Sequence, residues 1–360
     1  MKECLGGDKE NLNPTPLIGR LYSGICSSQS SSFKPMKIDG AAPFLPEEII
    51  RNILKCLPVK SLTRFRCVCK DWKNLFKSPS FIADHLHHSN RQNPSLLFQP
   101  YREGQYISQL YVLDRGMQVR ELPSVPLFGA SRFRVVGSSY GLLCVEIDVQ
   151  GIYPPPLLLF NPATRDVIKL PRTVDDFKCE CYLGFGFSPI VNDYKIVSLY
   201  QSMADGDIRN HLVVYSLGTG SWKQIKVEIL RGICFRYGVM GFTMNGSIFW
   251  QGYKQNWWDD SGCFIISFDI ATEDFALMPM PSVGLNHTHI TEFEHRLALL
   301  YCPRTQNYKS CLIEMWVWEK GTGGSGERWS WVKKYTSSPY LFLLTPGPIW
   351  RNEIVCLCHR

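Results

Sequence analysis

The sequence predicts a small α-helical region followed by an all-β domain built from repeats, with a low-complexity tail in front of both. Helical apolar periods are confined to one segment, Phe44 to Leu86. From Asn93 onward, apolar residues instead alternate with polar ones in short runs separated by turn residues, which is typical of strands. Residues 1–40 are rich in Ser, Gly, Pro and Asn and have no sustained period. We therefore predict a disordered tail at 1–40, a helical region at 41–88 and a β domain at 94–360.

The helical region begins with signals that favour a helix start. Pro46 suits the first turn of a helix, and Glu47 and Glu48 then lie beside the positive end of the helix dipole. Ile49 and Ile53 recur at helical spacing, and Ile50 and Leu54 widen the stripe. Leu57 continues the period, and Pro58 is predicted to end the helix, because the residue before a proline is pushed out of α geometry. Two further short periods follow, formed by Val59, Leu62 and Phe65, and by Val68, Trp72 and Phe76, the last ending near Ser78-Pro79.

A region this short cannot bury a full core of its own. Its apolar residues alone leave two interpretations open: the helices pack against the rest of the chain, or they bind a partner protein.

The strings LPEEIIRNIL, LPVKSL, RFRCVCKDW and FIADHL in this segment resemble the F-box, the adaptor-binding module of cullin-based ubiquitin ligases. The resemblance spans the whole module. It implies a Skp-type adaptor as partner and, through it, a cullin. The matching positions form either the adaptor interface or the F-box core, and the predicted adaptor-binding residues are Leu45, Pro46, Ile49, Ile53, Leu57, Pro58, Val59, Leu62 and Val68. Trp72 is expected to be largely internal.

Positive charge is concentrated in the same segment. Between Arg51 and Lys77 there are eight basic residues and one acid, Asp71, so this excess equals the net charge of +7 of the whole chain. A basic helical cluster can contact nucleic acid, but no recognition-helix, zinc-finger or RNA-module signature accompanies it, and we expect no nucleic acid partner. It is either a solvated surface or, as the F-box resemblance implies, a surface complementary to an acidic adaptor, which would speed encounter more than it tightens binding.

The β domain repeats with a period of about fifty residues. Strand pairs joined by a turn and often ending near proline align on an aromatic residue, at intervals of 49, 55, 53 and 48 residues. The aligned residues are Tyr111, Phe160, Tyr215, Phe268 and Trp316. This period fits a kelch-like β-propeller of about six four-stranded blades, and the even spacing disfavours a β-sandwich.

Four dipeptides mark the hairpins between the earlier strands of the blades: Tyr140-Gly141, Asn192-Asp193, Asn245-Gly246 and Glu294-His295. Asn-Gly in particular requires positive φ. The strings LLLFNPATRDVIKLP, FGFSPIVNDYKIV, MNGSIFWQGY and SFDIATEDFALMPMP resemble the F-box-associated propeller domain of a large plant family. That family often has Asn where this chain has Tyr140, so an altered hairpin is expected there.

The final string, PIWRNEIVCLCHR, supplies early strands of a last blade without its outer pair. We therefore expect that blade to be incomplete, or to be completed by strands around Pro94 to Phe98. An unclosed ring would leave an exposed edge strand.

Composition points to a reducing compartment. The fourteen cysteines lie in apolar, strand-like settings, and the chain shows no signal-peptide core and no apolar run long enough to span a membrane. Buried free thiols in the cytoplasm or nucleus are the better interpretation. Three Cys-x-Cys pairs and the pair His287 and His289 lack the spacing of a zinc site, so we expect no metal and no cofactor.

The sequence shows no catalytic constellation. The glycine-rich stretch Gly321 to Gly326 has no following Lys-Ser/Thr and is expected to be a hairpin loop. The chain is therefore expected not to be an enzyme. With the F-box resemblance, the predicted function is the substrate-recognition subunit of an SCF-type ubiquitin ligase. The alternative is a free-standing propeller that acts as a binding scaffold outside a ligase, or as an enzyme with its site in the channel.

Target binding is expected on the loops that join the second and third strands of the blades. These loops are predicted at Glu146 to Pro156, Gln201 to Asn210, Gly252 to Gly262 and Pro303 to Ser310. Tyr253, Trp257 and Trp258 in the third loop are the candidate target-binding residues, since exposed aromatic residues are enriched at binding hot spots. The opposite interpretation is that Trp257 or Trp258 folds back onto a neighbouring blade.

Overall fold

The structure is a computed structural model. It describes residues 45–92, 95–102, 105–106, 108–125, 132–149, 152, 154–173, 180–204, 206–236, 238, 240–255, 262–281, 283, 285, 287–303, 311–320, 329–340, 343–350 and 353–359. The predicted disordered tail, residues 1–40, lies outside this part of the chain.

The helical region contains helices α1 (Glu47–Lys55), α2 (Val59–Phe65), α3 (Lys70–Leu75) and α4 (Pro79–Gln92). Pro46 is the N-cap of α1 rather than its first helical residue, and Pro58 both follows the end of α1 and caps α2. The predicted break at Pro58 is therefore confirmed. Ser78-Pro79 separates α3 from α4, because the Ser78 hydroxyl accepts the backbone N–H of Phe81 at 3.3 Å and proline suits the first helical position.

The remaining described chain forms strands in successive antiparallel sheets. The first sheet has the order β1-β4-β5. A separate two-stranded hairpin, β2-β3, lies between β1 and β4 in the sequence. The strands are β1 (Leu96–Phe98), β2 (Tyr101–Arg102), β3 (Gln105–Tyr106), β4 (Tyr111–Leu113) and β5 (Val119–Glu121). The second sheet runs β6 (Arg132–Ser139), β7 (Leu142–Asp148), β8 (Leu157–Phe160) and β9 (Val167–Lys169).

The third sheet runs β10 (Glu180–Ser188), β11 (Asp193–Ala204), β12 (Asp207–Ser216) and β13 (Ser221–Ile225). The fourth has the order β14-β16-β17-β18, with β15 also paired to β16. Its strands are β14 (Ile233–Phe235), β15 (Phe242–Met244), β16 (Ser247–Lys254), β17 (Cys263–Asp269) and β18 (Phe275–Pro279), and a 3-10 helix, Glu228–Leu230, precedes them.

The fifth sheet runs β19 (Thr288–Phe293), β20 (Arg296–Tyr301), β21 (Glu314–Lys320) and β22 (Trp329–Thr336), and the pair β23 (Leu343–Trp350) and β24 (Glu353–His359) follows. First strands of neighbouring sheets touch one another in sequence: β6 lies against β10, β10 against β15, β15 against β19 and β19 against β23. This radial order is that of a β-propeller. In the described chain, five sheets have three or more strands and act as blades. The predicted helical region followed by a propeller is confirmed.

The core lies between the blades rather than within a single sheet. Leu159 of the second blade packs with Phe185 of the third, and Val214 of the third packs with Phe268 of the fourth. Similar apolar layers join the first blade to the second, the fourth to the fifth, and the fifth to β23–β24. Each blade is therefore stabilised mainly by its neighbours.

Glycines on β10 allow the third and fourth blades to approach closely. A Cβ at Gly184 would collide with the ring of Trp250, and one at Gly186 would lie 2.6 Å from Cγ2 of Thr243. The space is used by Trp250, whose Nε1 donates to the carbonyl of Leu183 at 3.1 Å. The Gly-Phe-Gly-Phe stretch thus alternates close backbone contact with buried aromatic packing.

The predicted hairpins between first and second strands are present. Both central residues have positive φ at Tyr140-Gly141, Asn245-Gly246 and Glu294-His295, as the right-handed twist of a hairpin favours. Tyr140 adopts the same conformation as the asparagine of the other turn. Its ring centroid lies 4.6 Å from that of Phe187, and its carbonyl accepts the Tyr194 hydroxyl at 2.8 Å. These contacts hold a non-glycine residue in the left-handed region.

The last sheet is smaller than its neighbours. In the described chain, β24 pairs with β23 alone, and β1 pairs with β4 rather than with β24. The prediction that strands around Pro94 to Phe98 complete this blade is therefore wrong for the described part, Ser95 to Phe98, whose pairing partner is set by the register of Leu97 opposite Val112. A cavity of about 600 Å³ lies between β23–β24 and the outer strands of the fifth blade.

Candidate adaptor-binding surface and target-binding face

Helix α1 has apolar residues on two faces. Ile50 and Leu54 point into the helical region, where Leu54 packs with Leu62, Phe76 and Phe81. Ile49 and Ile53 point the other way and are 44% and 51% exposed. A surface helix normally buries its single apolar stripe against its own domain. Here the second stripe is left uncovered.

The uncovered stripe extends beyond α1. Leu45 is 49% exposed and Val68 is 62% exposed, and Pro46 and Pro58 are exposed as well. Leu57 and Val59, on either side of Pro58, are half-buried. Six of the nine predicted adaptor-binding residues are therefore exposed and two more are partly accessible, which is the arrangement that a protein interface requires.

Leu62 is the exception among the predicted adaptor-binding residues. It is buried among Leu54, Phe76 and Phe81, so it belongs to the core of the helical region rather than to its surface. Trp72 is half-buried, with its ring centroid 5.8 Å from Phe65 and 6.3 Å from Phe76. Its expected internal role agrees with this packing.

Polar contacts hold the exposed stripe in place. Nη2 of Arg51 lies 2.7 Å from the Asp84 carboxylate, which ties α1 to α4. A ring nitrogen of His85 lies 2.9 Å from the Leu57 carbonyl, which fixes the corner between α1 and α2. Of the eight basic residues, Lys60, Arg64, Lys70, Lys73 and Lys77 are exposed. The surface of the helical region therefore carries exposed positive charge as well as exposed apolar side chains.

The predicted target-binding loops are shorter in the structure than in the sequence analysis. The segment Gln201 to Asn210 is a paired extension of β11 and β12, in which Gln201 lies opposite Asn210 and Ala204 opposite Asp207. The prediction of a loop there is wrong, because backbone pairing continues through polar residues that look loop-like in sequence. The same edge of the second blade does carry a connection, between Asp148 and Leu157.

Tyr253 is also a strand residue rather than a loop residue. It lies in β16, opposite Cys234 on one side and Cys263 on the other, and is half-buried. Trp257 and Trp258 lie outside the described residues, as do residues 304–310 of the fourth predicted loop. Their role in target binding stays a prediction.

Comparison with protein families gives a match for the helical region and another for the propeller. A family model described as "F-box domain" matches residues 43–84, and one described as "F-box associated beta propeller domain" matches residues 117–344. The chain belongs to the F-box associated beta propeller family. The helical region is accordingly its F-box, and the predicted resemblance is confirmed.

Relatives in Arabidopsis thaliana match this chain over most of their length. "Putative F-box protein At4g38870" is 25% identical, over 87% of this chain and 75% of the relative. "F-box protein At3g07870" is 26% identical, over 92% and 87%. "F-box/kelch-repeat protein At3g23880" is 27% identical, over 86% and 83%.

Among solved structures, an oligogalacturonate lyase in complex with manganese is similar with a TM-score of 0.36 and 14% identity, covering 58% of this chain and 57% of that chain. F-box domains in general bind Skp-type adaptors within SCF complexes, and proteins that combine an F-box with a propeller are typically adaptors rather than enzymes. The family thus indicates a substrate-receptor role in general terms.

A buried polar cluster joins the fourth and fifth blades. Arg236 directly follows β14, and its Nη1 contacts Oε1 of Gln251, the carbonyl oxygen of Thr288 at 2.8 Å and the Thr288 hydroxyl at 3.2 Å. His289 follows Thr288 in β19. Burial, with the neighbouring charge of Arg236, lowers the pKa of His289 to about 4, so its imidazole is neutral at neutral pH. Sequence analysis missed this cluster; its one signal was an arginine directly after the apolar run Ile-Cys-Phe.

Ten described cysteines are free thiols, of which Cys56, Cys67 and Cys69 are exposed. Across the described ranges, no three His, Cys, Asp or Glu side chains meet in a way that could hold a metal ion. No helix in the described chain is long and apolar enough to cross a membrane.

Proposed function

We propose that this protein is the substrate-recognition subunit of an SCF-type ubiquitin ligase. In this role the F-box binds a Skp-type adaptor, and through it a cullin, while the propeller holds a target protein. Such a subunit performs no bond chemistry. It raises the effective concentration of the target near a ubiquitin-loaded enzyme.

One observation carries the adaptor half of this proposal: α1 leaves Ile49 and Ile53 uncovered while its opposite face is packed. Burying two such side chains contributes about 1.5–3 kcal/mol each. Leu45, Pro46, Pro58 and Val68 extend the same surface, and Leu57 and Val59 form its corner. We assign Leu62 to the F-box core and not to the interface.

The exposed basic residues of the helical region support an acidic adaptor surface as partner. Opposite charge at the rim of an interface acts chiefly on the association rate and is weakened by salt. We propose that the protein acts in the cytoplasm or nucleus, where the described cysteines would stay reduced.

The adaptor test exchanges exposed apolar side chains for charged ones. Ile49→Asp with Ile53→Asp in the full chain should lower affinity for a purified Skp-type adaptor by at least about 100-fold, since two buried contacts are lost and two charges are desolvated. Ile229→Asp is the matched control, because Ile229 is 49% exposed and lies outside the F-box. Calorimetry or pull-down measures the binding.

Retained binding in a folded double variant would remove this surface as the interface. Failure of the unmodified chain to bind any Skp-type adaptor would instead favour a propeller scaffold that acts outside a ligase.

For the target, we propose the propeller edge where second strands connect to third strands. Trp257 and Trp258 remain the sequence-based candidates there. Changing both to Ala should abolish target capture while adaptor binding and the melting temperature stay unchanged. A large fall in melting temperature would show that the two rings are core.

A further inference from the structure

Arg236 differs from the other shielded cations of the propeller in having no described acid beside it. Arg134, Lys195 and Arg296 are also buried or half-buried, and each forms an ion pair, with Glu146, Glu273 and Glu319 respectively. Among the described residues, no carboxylate lies within ion-pair distance of Arg236. Burial alone lowers the pKa of its guanidinium, which nevertheless stays charged. Within the described part of the chain, the positive charge of Arg236 is therefore not compensated by an acid.

The described contacts of Arg236 use only one end of its guanidinium. Nη1 donates to Gln251 and Thr288, and both residues are buried and neutral. No described residue accepts a hydrogen bond from Nε or Nη2. Those two nitrogens form the edge of the fork that binds a carboxylate or phosphate through two parallel hydrogen bonds.

The surrounding hydrogen bonds hold that fork in a fixed orientation. Nε2 of Gln251 donates to the Thr288 hydroxyl at 3.0 Å, and this hydroxyl in turn donates to the Leu285 carbonyl at 2.7 Å. The backbone N–H of Arg236 donates to the Gln251 carbonyl at 2.9 Å. A side chain fixed in this way loses little conformational freedom when it binds a ligand.

The location suits recognition of a target. The innermost strand of the fourth blade is interrupted between β14 and β15, and Arg236 is the first residue of the interruption. Innermost strands of a propeller border its central channel. Gln251 lies in the half of β16 that leads to β17, and Thr288 begins β19. Arg236 thus lies in the half of the fourth blade that leads to the second-to-third strand connection, and it keeps part of its surface exposed.

We propose that Arg236 binds an oxyanion of the target protein, either the carboxylate of an acidic residue or the phosphate of a phosphorylated one. This inference rests on the proposed function for its biological ligand. The anion site itself can be tested without a target, using small anions as probes.

The test measures thermal unfolding of the full chain in inorganic phosphate against chloride at matched ionic strength. A ligand that binds only the folded state stabilises it by mass action. At 20 mM phosphate, we expect the wild-type melting temperature to rise about 2 °C more than that of Arg236→Gln, and the effect to saturate. Arg231→Gln is the control and should respond as the wild type does, because Arg231 is an exposed arginine near the same blade.

The general stabilising action of phosphate is the same for all three proteins, so it cancels when their rises in melting temperature are compared. Equal rises in all three would overturn the proposal. Acetate in place of phosphate distinguishes the sources: a matching response identifies a carboxylate, and a response to phosphate alone identifies a phosphorylated residue.

Two further experiments cover an Arg236→Gln variant that does not fold. Arg236→Lys keeps the charge and loses the fork, so it should lose most of the phosphate response while remaining folded. Wild-type crystals soaked in selenate should show an anomalous selenium peak within hydrogen-bond distance of Nε and Nη2. The absence of that peak would overturn the proposal. Adaptor binding is expected to be unchanged in the Arg236 variants, so failure of the adaptor interface and failure of the anion site are separate results.

Discussion

The F-box and the propeller use apolar residues in opposite ways. In the described F-box, the buried apolar side chains are Leu54, Leu62, Phe76 and Phe81, and as many large apolar side chains are exposed: Leu45, Ile49, Ile53 and Val68. The propeller instead buries apolar residues between every pair of adjacent blades. Its exposed apolar residues are spread over turns, such as Ile190, short connections, such as Ile229, and strands, such as Met203 and Trp329. The described blades thus cover one another's apolar faces, whereas the F-box leaves one apolar face uncovered.

Charge shows the same contrast. The F-box has one described interhelical ion pair, Arg51 with Asp84, and a surplus of exposed basic residues. Ion pairs in the propeller join strands and blades, as when Lys195 of the third blade meets Glu273 of the fourth. Charged side chains in the F-box are therefore mostly exposed and unpaired among the described residues, whereas in the propeller they join strands and blades.

The largest expected effect separates two neighbouring residues of α1. Leu54→Ala removes a buried side chain and should lower F-box stability by about 2–5 kcal/mol, with loss of adaptor binding through unfolding. Ile53→Ala should change F-box stability by less than about 0.5 kcal/mol yet still weaken adaptor binding. Hydrogen exchange of F-box amides and adaptor titration measure the two quantities. Equal destabilisation by both changes would mean that α1 is packed on both faces, which would contradict the exposed position of Ile53.

A smaller effect is expected where blades approach each other. Gly184→Ala places a methyl group against Trp250 and should destabilise the propeller by about 1–3 kcal/mol. Gly137→Ala is the control, since its Cβ would lie 3.4 Å from Cβ of Phe185, an ordinary contact. Chemical unfolding followed by tryptophan fluorescence gives both values. Unaltered adaptor binding in Gly184→Ala would show that the two regions are independent.

The next effect tests a contact that recurs between blades. Nε1 of Trp222 donates to the Pro171 carbonyl at 2.8 Å, and Nε1 of Trp331 donates to the Pro279 carbonyl at 2.6 Å. Each bond joins the outer strand of one blade to the chain at the end of the preceding blade. Replacing either tryptophan with Phe should lower propeller stability by about 1 kcal/mol, as measured by chemical unfolding. No loss in either variant would make these bonds incidental.

The smallest effect is a dependence on acid. Lys195 and Lys223 both bind Glu273, and their hydrogen bonds and charges outweigh burial, so the pKa of Glu273 is lowered. A carboxyl with a lowered folded-state pKa stabilises the fold above its unfolded pKa and loses this contribution as pH falls through the folded value. Wild-type stability should therefore fall more steeply below about pH 4.5 than that of Glu273→Gln. Parallel pH profiles of the two proteins would contradict this assignment.

Sequence reasoning succeeded where the signal was local. Pro58 ends a helix by its own sterics, and Asn245-Gly246 forms a hairpin by its own φ preferences. It could not separate Ile49 from Ile50, because adjacent apolar residues on a helix give one broad stripe whichever of them faces the core. It also read Gln201 to Asn210 as a loop, since backbone pairing leaves no mark on polar side chains.

Contacts between blades were beyond the sequence for a different reason. Trp331 and Pro279 are neighbours only in the folded protein, because about one full repeat separates them in the sequence. The residues around each of them give no indication of this contact. Arg236 is a similar case, because an arginine becomes unusual only when the residues described around it in the fold include no acid.

The exposed apolar face of helix α1 has a consequence for the amount of this protein that accumulates in a cell. An unassembled copy presents Leu45, Ile49 and Ile53 together on its surface. Exposed aliphatic patches of this kind are what chaperones and proteases recognise when they sort nascent chains. We therefore expect the half-life of the protein to follow the supply of free adaptor. Copies that exceed this supply would expose the apolar patch and be degraded.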